Sequence, residues 1–323
     1  MTDLRKFCKN TTNFYYKNPE NLQKILASQG LDSRPSNKEG DYIIMTFADK
    51  NIRRQFSMNS LKRRVKKYKI VDAFKVFRLR DVDHCFIQQN TDLFNKKLWA
   101  WMSKVYLVNK VFESMNDGDV LIWIDSDVRD IKEDGVGLLF DLCNNSETGL
   151  ICFHNDFWLE RCHTKSRLFT YLGAEEPLYR NTNQVCAGIF GAKKNIFTTR
   201  FFQQWLRLCS DIELIEDPLS LDDESPYYVC HQHDQSIFSL LSKINNIKSY
   251  PLPLFSCRPD NIIADHSGYF EDGVILPLVW HDCWDAPLLH RWIECNLKYG
   301  KPVSPYDCLS ISSHFLDLVS TDN

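Results

Sequence analysis

Residues 119–130 read Asp-Val-Leu-Ile-Trp-Ile-Asp-Ser-Asp-Val-Arg-Asp, an apolar run that ends in two carboxylates, Asp125 and Asp127, with Ser126 between them. The run has the length and composition of a buried strand. Side chains two positions apart project from one face of a strand, so we expect both carboxylates side by side at its carboxyl end. Hard oxygen ligands favour Mg²⁺ or Mn²⁺, which keep open positions for substrate phosphates. The stretch therefore predicts a metal-bridged diphosphate substrate, although Asp-x-Asp also occurs in ordinary polar turns.

Short apolar runs alternate with helix-like segments along the rest of the chain. The pattern predicts strands at Tyr42 to Phe47, Lys75 to Leu79, Val120 to Ile124, Leu150 to His154, Val185 to Gly191, Lys248 to Leu252 and Val274 to Trp280. It predicts helices at Pro19 to Gln29, Ile52 to Tyr68, Leu98 to Met115, Lys194 to Cys209 and Asp234 to Ile244. This alternation is typical of an α/β sandwich with a mostly parallel central sheet.

Composition limits the class of protein. The chain has 323 residues, of which 44% are hydrophobic and 13% aromatic, enough for one main domain with an elaborated end. A net charge of −3 and a pI near 6.3 argue against a general nucleic-acid binder. No run reaches ~18 apolar residues and the start is polar, so we expect a soluble, cytoplasmic protein. The 12 cysteines form no Cys-x-x-Cys pair, which indicates a reducing compartment rather than disulfides or a zinc site.

Two stretches are biased in charge. Residues 53–69 hold eight Lys and Arg interleaved with apolar residues at helical spacing. This pattern favours a solvated helix face, with a phosphate-binding or membrane-surface face as the alternative. Residues 211–224 contain seven acidic residues and Pro218, and are predicted to form a surface loop, either a cover for a site or a plain linker.

Four motifs follow one another between residues 41 and 245. They are Ile43 to Asp49, Trp99 to Lys104, Asp117 to Asp119 leading into Asp125 to Asp127, and Gln184 to Gly191 followed by His233 to Ser236. Together they resemble the Asp-x-Asp glycosyltransferases of the GT-A fold, nearest to the glycogenin and lipopolysaccharide-galactosyltransferase group. The second motif departs from that group's Trp-x-Trp-Lys-Pro, because the proline is replaced and the spacing is one residue longer.

The resemblance implies an architecture and an activity. The architecture is a single Rossmann-like GT-A α/β/α sandwich at 41–290, with an N-terminal helical extension at 1–40 and a C-terminal tail at 291–323 that packs on it. The activity is transfer of a sugar from a nucleotide-sugar donor, UDP-linked in the first instance, to a glycan, lipid-linked or protein-linked sugar. Mn²⁺ or Mg²⁺ is the implied cofactor. No nucleic-acid partner is expected, and peripheral contact with a membrane is compatible with this activity.

The resemblance also assigns roles to individual residues. Metal ligands are implied at Asp125, Asp127 and a late histidine, for which His281 is preferred to His266 and His290 although the group's His-x-x-Gly-x-x-Lys-Pro pattern is missing. Contacts to the donor are implied for Thr46, Phe47, Ala48, Asp49, Lys104, Asp125, Ser126 and Gly188. Contacts to sugar or acceptor are implied for Asp156, Gln184 and His233.

Asp234 and Gln235 are the implied catalytic pair. In the related group such a pair lines the donor sugar of retaining enzymes, although either residue also suits an inverting reaction. Asp is in addition a strong N-cap residue, so Asp234 also has a purely structural interpretation as the cap of the following helix. Lys104 has a comparable alternative as a surface lysine.

Two further functions are compatible with parts of the pattern. A haloacid-dehalogenase-type phosphatase also places Asp-x-Asp after an apolar strand, but it wants Thr or Val where Arg129 stands and usually has the motif near the start of its domain. A non-enzymatic module that binds anionic surfaces through residues 53–69 is the other, and the net acidity of the chain counts against it.

Overall fold

The fold is described by a computed structural model for residues 36–48, 52–96, 98–126, 128–131, 133–251, 264–266, 270–271 and 274–275. Asp49, Asp127 and His281 lie outside these residues. So do the helix predicted at Pro19 to Gln29, most of the N-terminal extension, the whole C-terminal tail, and the strand predicted at Val274 to Trp280 beyond Ile275.

The described part of the chain alternates strands and helices. Its strands are β1 (Tyr42–Phe47), β2 (Ala73–Phe77), β3 (Val120–Ile124), β4 (Val128–Ile131), β5 (Leu150–Leu159), β6 (Asn183–Lys193), β7 (Ser249–Pro251), β8 (Ala264–His266), β9 (Phe270–Glu271) and β10 (Val274–Ile275). Its α-helices are α1 (Ile52–Val65), α2 (His84–Gln89), α3 (Thr91–Asn95), α4 (Trp99–Ser114), α5 (Glu133–Asn145), α6 (Glu160–His163), α7 (Ser166–Leu172), α8 (Pro177–Arg180), α9 (Ile196–Cys209), α10 (Ile212–Ile215) and α11 (Asp234–Ile244).

Six strands form one mixed, mostly parallel sheet in the order β2-β1-β3-β6-β5-β7. β1 is parallel to β2 and to β3, and β5 is parallel to β7. β6 is antiparallel to its neighbours β3 and β5. The predicted α/β class with a mostly parallel sheet is therefore confirmed, and the arrangement is Rossmann-like. Two smaller pairs, β4 with β8 and β9 with β10, complete the strands described.

Helices cover both faces of the sheet. Alternate residues of a strand point to opposite faces, so Met45 and Trp123 pack on one side with α4, α9 and α11. Ile44 and Ile122 pack on the other side with α1 and α5. All five residues of β3 are buried, as expected for a strand covered on both faces. The result is a three-layer α/β/α sandwich.

The order of the strands creates a crevice beside β3. From β1 the chain passes through α1 to β2 on one side, and then returns through α4 to β3 on the other side of β1. The two helices lie on opposite faces of the sheet. In open α/β sheets, ligands bind outside the carboxyl ends of strands at such a switch point. Ala48 and Asp125 lie at this switch point, directly after the carboxyl ends of β1 and β3.

Several predicted boundaries differ from those in the structure. The strand predicted at Lys75 to Leu79 is β2, which ends two residues earlier because the Arg78 N–H donates to Asp81 Oδ2 at 2.7 Å and starts a 3₁₀ turn at Leu79–Asp81. The predicted surface loop at 211–224 is wrong in part, since α10 places Leu214 and Ile215 in the core. None of the helices in the described part of the chain is both long enough and apolar enough to cross a lipid bilayer.

Candidate active site

Asp125 lies directly after β3, at the carboxyl edge of the sheet. Its backbone N–H donates to the carbonyl of Gly188 in β6 at 2.8 Å, which ties the two strand segments together. The indole Nε1 of Trp123 donates to Asp125 Oδ1 at 2.8 Å. The Asp125 side chain remains 37% exposed, so it is held by the protein and still reaches solvent. Ser126, the next residue, is buried.

Lys104 is neither a surface lysine nor an open phosphate ligand. It projects from α4 into the interior, where only 7% of the residue is exposed. Its Nζ donates to the carbonyl of Ala187 at 2.6 Å and lies 3.4 Å from Asp125 Oδ1 and 3.2 Å from Asp234 Oδ2. An ammonium group has three hydrogens, and here each has a protein acceptor nearby. Lys104 therefore links Asp125 to Asp234.

This linkage fixes the charge of Lys104. Burial by itself disfavours an ammonium ion, but the carboxylates of Asp125 and Asp234 outweigh it and raise the pKa of Lys104 above its ordinary value. The rings of Trp123 and Trp205 lie 5.3 and 6.0 Å from its Nζ, within the range of cation–π contacts. Lys104 is thus a buried ammonium counter-ion between two aspartates.

Asp234 is the first residue of α11 and not its N-cap. The N-cap position belongs to His233, and no side chain caps the helix there. The Asp234 carboxylate turns inward to Lys104 and is only 4% exposed, while its carbonyl accepts from Trp205 Nε1 at 2.9 Å. The capping interpretation is therefore wrong. Its contact with a sugar stays a prediction, and the contacts in place give Asp234 the role of orienting Lys104.

Gln235 lies beside this cluster and is held at both ends of its amide. Its Oε1 accepts from the backbone N–H of Ala187 at 3.1 Å, and its Nε2 donates to Gln184 Oε1 at 2.8 Å. An amide offers two lone pairs and two N–H groups. These two contacts use one lone pair and one N–H of the amide, and the residue as a whole is half-buried.

Gln184 is fully buried and reaches no surface. Its Nε2 donates to Glu160 Oε1 at 3.2 Å and to the carbonyl of His163 at 3.1 Å. Glu160, itself fully buried, is ion-paired with Lys243 at 2.6 Å. Because Glu160 only accepts, it fixes the amide of Gln184, which in turn fixes the amide of Gln235. Gln184 thus positions Gln235, and the predicted contact between Gln184 and substrate is not one that its burial allows.

Sequence reasoning missed Glu160 and Lys243. They lie 83 residues apart, so no local motif joins them. Burial lowers the pKa of Lys243, although Glu160 opposes this effect. The sequence carries only a weak indication of this pair: Glu160 follows a strand, and Lys243 falls near the end of a helix, half of whose other residues are apolar.

His233 joins the site to the acidic segment. Its backbone has φ 50° and ψ −116°, a conformation that costs a non-glycine residue of order 1–3 kcal/mol. Its Nδ1 lies 2.9 Å from the carbonyl of Ile215, and its ring lies 4.0 Å from that of Trp101. His231 contacts the carbonyl of Leu214 at 2.9 Å, and burial lowers its pKa well below the usual range. Both histidines anchor α10, and His233 remains half-buried beside Trp101.

The end of β1 forms the other wall of the crevice. Thr46, Phe47 and Ala48 are buried, and the hydroxyl of Thr46 has no hydrogen-bond partner among the described residues. The N–H of Ala48 donates to the carbonyl of Phe77 at 3.0 Å and so continues the sheet. Donor contacts by these side chains remain predictions, as does that of Asp49, which lies outside the described residues.

Asp125 alone of the predicted metal ligands is described. Asp127 and His281 lie outside, and Asp156 belongs to β5 although its side chain is not described. Within the described residues no three His, Cys, Asp or Glu side chains are grouped to hold a metal ion. The donor type nevertheless fits Mg²⁺ or Mn²⁺. The contacts to Trp123 and Lys104 use Oδ1 of Asp125, whereas Oδ2 faces Gly188.

Gly188 and Gly191 both lie in β6, and each is required for a different reason. A Cβ on Gly188 would come 3.1 Å from Asp125 Oδ2, whereas one on Gly191 would overlap the Cys143 thiol and lie 2.8 Å from Ile122 Cδ1. Gly188 keeps space beside the carboxylate. The missing side chain of Gly191 leaves room for the core side chains of Cys143 and Ile122.

We expect Gly191→Ala to lower the free energy of unfolding by about 1–3 kcal/mol, as overpacking of a core does. Gly188→Ala is expected to cost less, because a partly exposed carboxylate moves more easily than core side chains. Urea unfolding of both variants measures the difference. An equal loss of stability in the two would show that Asp125 is held as rigidly as the core.

The structure thus brings together Lys104, Asp125, Gly188, Asp234 and Gln235 at one edge of the sheet. Comparison of the sequence with protein-family models and with curated proteins finds no match.

Proposed function

We propose that the protein is a metal-dependent glycosyltransferase of the GT-A type, which transfers a sugar from a nucleotide-sugar donor to a glycan or glycoconjugate acceptor. The observation that carries the proposal is the position of Asp125. It stands at the carboxyl end of β3, at the switch point of the sheet, with a carboxylate that is both anchored and exposed. The second aspartate of the motif follows two residues later in the sequence.

The proposed chemistry requires a group that stabilises a departing nucleoside diphosphate. A divalent ion bound by Asp125 and Asp127 would supply Lewis-acid stabilisation of that leaving group. At ~4 Å and an effective dielectric of ~20, one pair of unit charges interacts by about 4 kcal/mol. This exceeds the ~1 kcal/mol net contribution of a neutral hydrogen bond. The carboxylates therefore matter more to the reaction than any single neutral contact.

The remaining residues of the site hold these groups in place. Trp123 donates to Oδ1 of Asp125 and the Lys104 ammonium lies 3.4 Å from the same atom, while Oδ2 lies on the side of Gly188. Gln235 keeps one N–H and one lone pair for hydroxyl groups of a sugar. Its orientation is fixed through Gln184 by Glu160. Such preorganised polar groups lower the cost of orienting the donor.

A thermal-shift screen of nucleotide sugars, with and without Mn²⁺, tests the proposal. A ligand that binds only the folded state at about 100 times its Kd adds about 2.7 kcal/mol to stability. We expect stabilisation by at least one nucleotide sugar, a UDP-sugar in the first instance, and only when Mn²⁺ or Mg²⁺ is present. If no nucleotide sugar raises the melting temperature with either ion, the proposal fails.

A further inference from the structure

Helix α1 and the turn after it carry an unusual concentration of positive charge. Residues 52–71 contain eight Lys and Arg and no Asp or Glu, in a chain whose net charge is −3. The remainder of the chain is therefore markedly acidic. Such segregation of charge is a property of the sequence, and the structure shows that seven of these side chains are exposed: Arg54, Lys62, Arg63, Arg64, Lys66, Lys67 and Lys69.

The helix divides sharply into two faces. Met58, Leu61 and Val65 are buried against the sheet. The opposite side is exposed, and we define the basic face as Phe56, Lys62, Arg63, Lys66 and Lys67. Phe56 is 71% exposed. Exposed cations keep a surface soluble, but an exposed Phe ring among them adds apolar surface that solubility does not explain.

Local structure explains only part of the basic face. Lys62 and Arg63 lie in the last turn of α1, where cations interact favourably with the helix dipole. Lys66 and Lys67 lie beyond the end of the helix and gain less from it. Two acids whose side chains are described have other partners: Asp72 pairs with Lys38, and Glu133 accepts from the backbone N–H of Lys69. Within the described residues no carboxylate lies at ion-pair distance from Lys62, Lys66 or Lys67.

We propose that the basic face docks on a membrane surface that contains anionic lipids. Clustered Lys and Arg are attracted to the negative potential of such a surface, and an exposed aromatic ring adds a second, apolar contact at the headgroup level. A membrane meets only this one face. A long nucleic acid would also run across the acidic remainder of the chain, so the charge distribution fits a planar partner better.

The geometry gives docking a consequence. Because α1 follows β1, its first turns lie towards the same edge of the sheet as Asp125. Docking through Phe56 would hold that edge close to the membrane plane. The inference rests on α1 and the turn after it, and does not depend on the proposed enzymatic activity.

Flotation of the full chain with phosphatidylcholine vesicles, with and without phosphatidylserine, tests the proposal. We expect binding only when phosphatidylserine is present, and a steep decrease as salt is raised. The double variant R63E/K67E should weaken binding by tenfold or more, since each Lys or Arg near the surface adds to the attraction to anionic lipids and each Glu opposes it. Phe56→Ser should weaken binding without changing the salt dependence.

The matched control is R200E/R207E. It makes the same change in charge at two exposed positions of α9, which lies on the other face of the sheet. Urea unfolding confirms that both double variants are folded. Equal loss of binding in the two double variants would overturn the proposal, and so would binding to phosphatidylcholine alone. Salt-sensitive binding to DNA without binding to vesicles would also overturn it, and would identify the partner as nucleic acid.

Discussion

Lys104→Met is expected to lower the free energy of unfolding by about 3–5 kcal/mol, the range for removing one partner of a buried ion pair. Met fills a similar volume, so the loss is mainly one of charge. The Asp234 carboxylate, 4% exposed, would be left in the interior without the cation that now lies beside it. Asp125 contributes less to the loss, because its 37% exposed side chain is screened by water.

A lysine six residues further along α4 provides the control. Lys110 pairs with Asp83 at 2.6 Å, but the two side chains are 43% and 53% exposed. Exposed pairs contribute about 0–1 kcal/mol, so Lys110→Met should change stability by no more than that. Urea unfolding of both variants measures the difference. Similar losses for the two would mean that Lys104 does not act as a buried counter-ion.

A double variant separates charge from packing. Asp234→Asn removes the charge that Lys104→Met leaves uncompensated, so the combined variant should be more stable than Lys104→Met alone. A coupling between the two positions is expected because their side chains touch at 3.2 Å. Additive losses would contradict the ion pair as the source of the effect.

Asp127→Ala is expected to reduce Mn²⁺-dependent turnover of a nucleotide sugar by at least about 10²-fold, by analogy with the loss of one preorganised electrostatic group. The reason is that the second aspartate of the motif is the proposed partner of Asp125 in holding the ion. The measurement is release of nucleoside diphosphate at saturating donor.

Asp117→Ala is the matched control for this prediction. Asp117 has no implied ligand role; it is exposed and lies just before β3, whereas Asp125 and Asp127 come after the strand in the sequence. Its removal should leave turnover unchanged. Unchanged turnover in Asp127→Ala would contradict the assignment of the motif, whereas an equal loss in both variants would point to a general effect on the strand.

Much of the fold follows directly from the sequence. The predicted bounds of β1, β3 and α11 agree with the structure, because β1 and β3 are short continuous apolar runs and α11 carries its apolar residues at helical spacing. Helix α5 was missed, since Gly135 and Gly137 read as helix breakers. Val136, Leu139, Phe140 and Cys143 have the apolar spacing of a helix, and their burial in the core outweighs the low helix propensity of the two glycines.

The sequence predicted which residues form the candidate site, but not what each of them contacts. The motifs identified Asp125, Asp234 and Gln235, and the fold brings them together. The sequence did not reveal that Lys104 is buried, although it falls among Trp101, Val105 and Val108 on the apolar side of α4. Long-range contacts such as Glu160 with Gln184 have no local pattern, because they depend on how β5 and β6 pack with α11.

The most direct test of the account is the product and metal requirement of the wild-type protein with a nucleotide-sugar donor. We predict release of nucleoside diphosphate that requires Mn²⁺ or Mg²⁺, stops on addition of EDTA and resumes when the ion is restored. Release of inorganic phosphate from a simple phosphomonoester, with no nucleoside diphosphate formed from any nucleotide sugar, would contradict the account and favour a phosphatase.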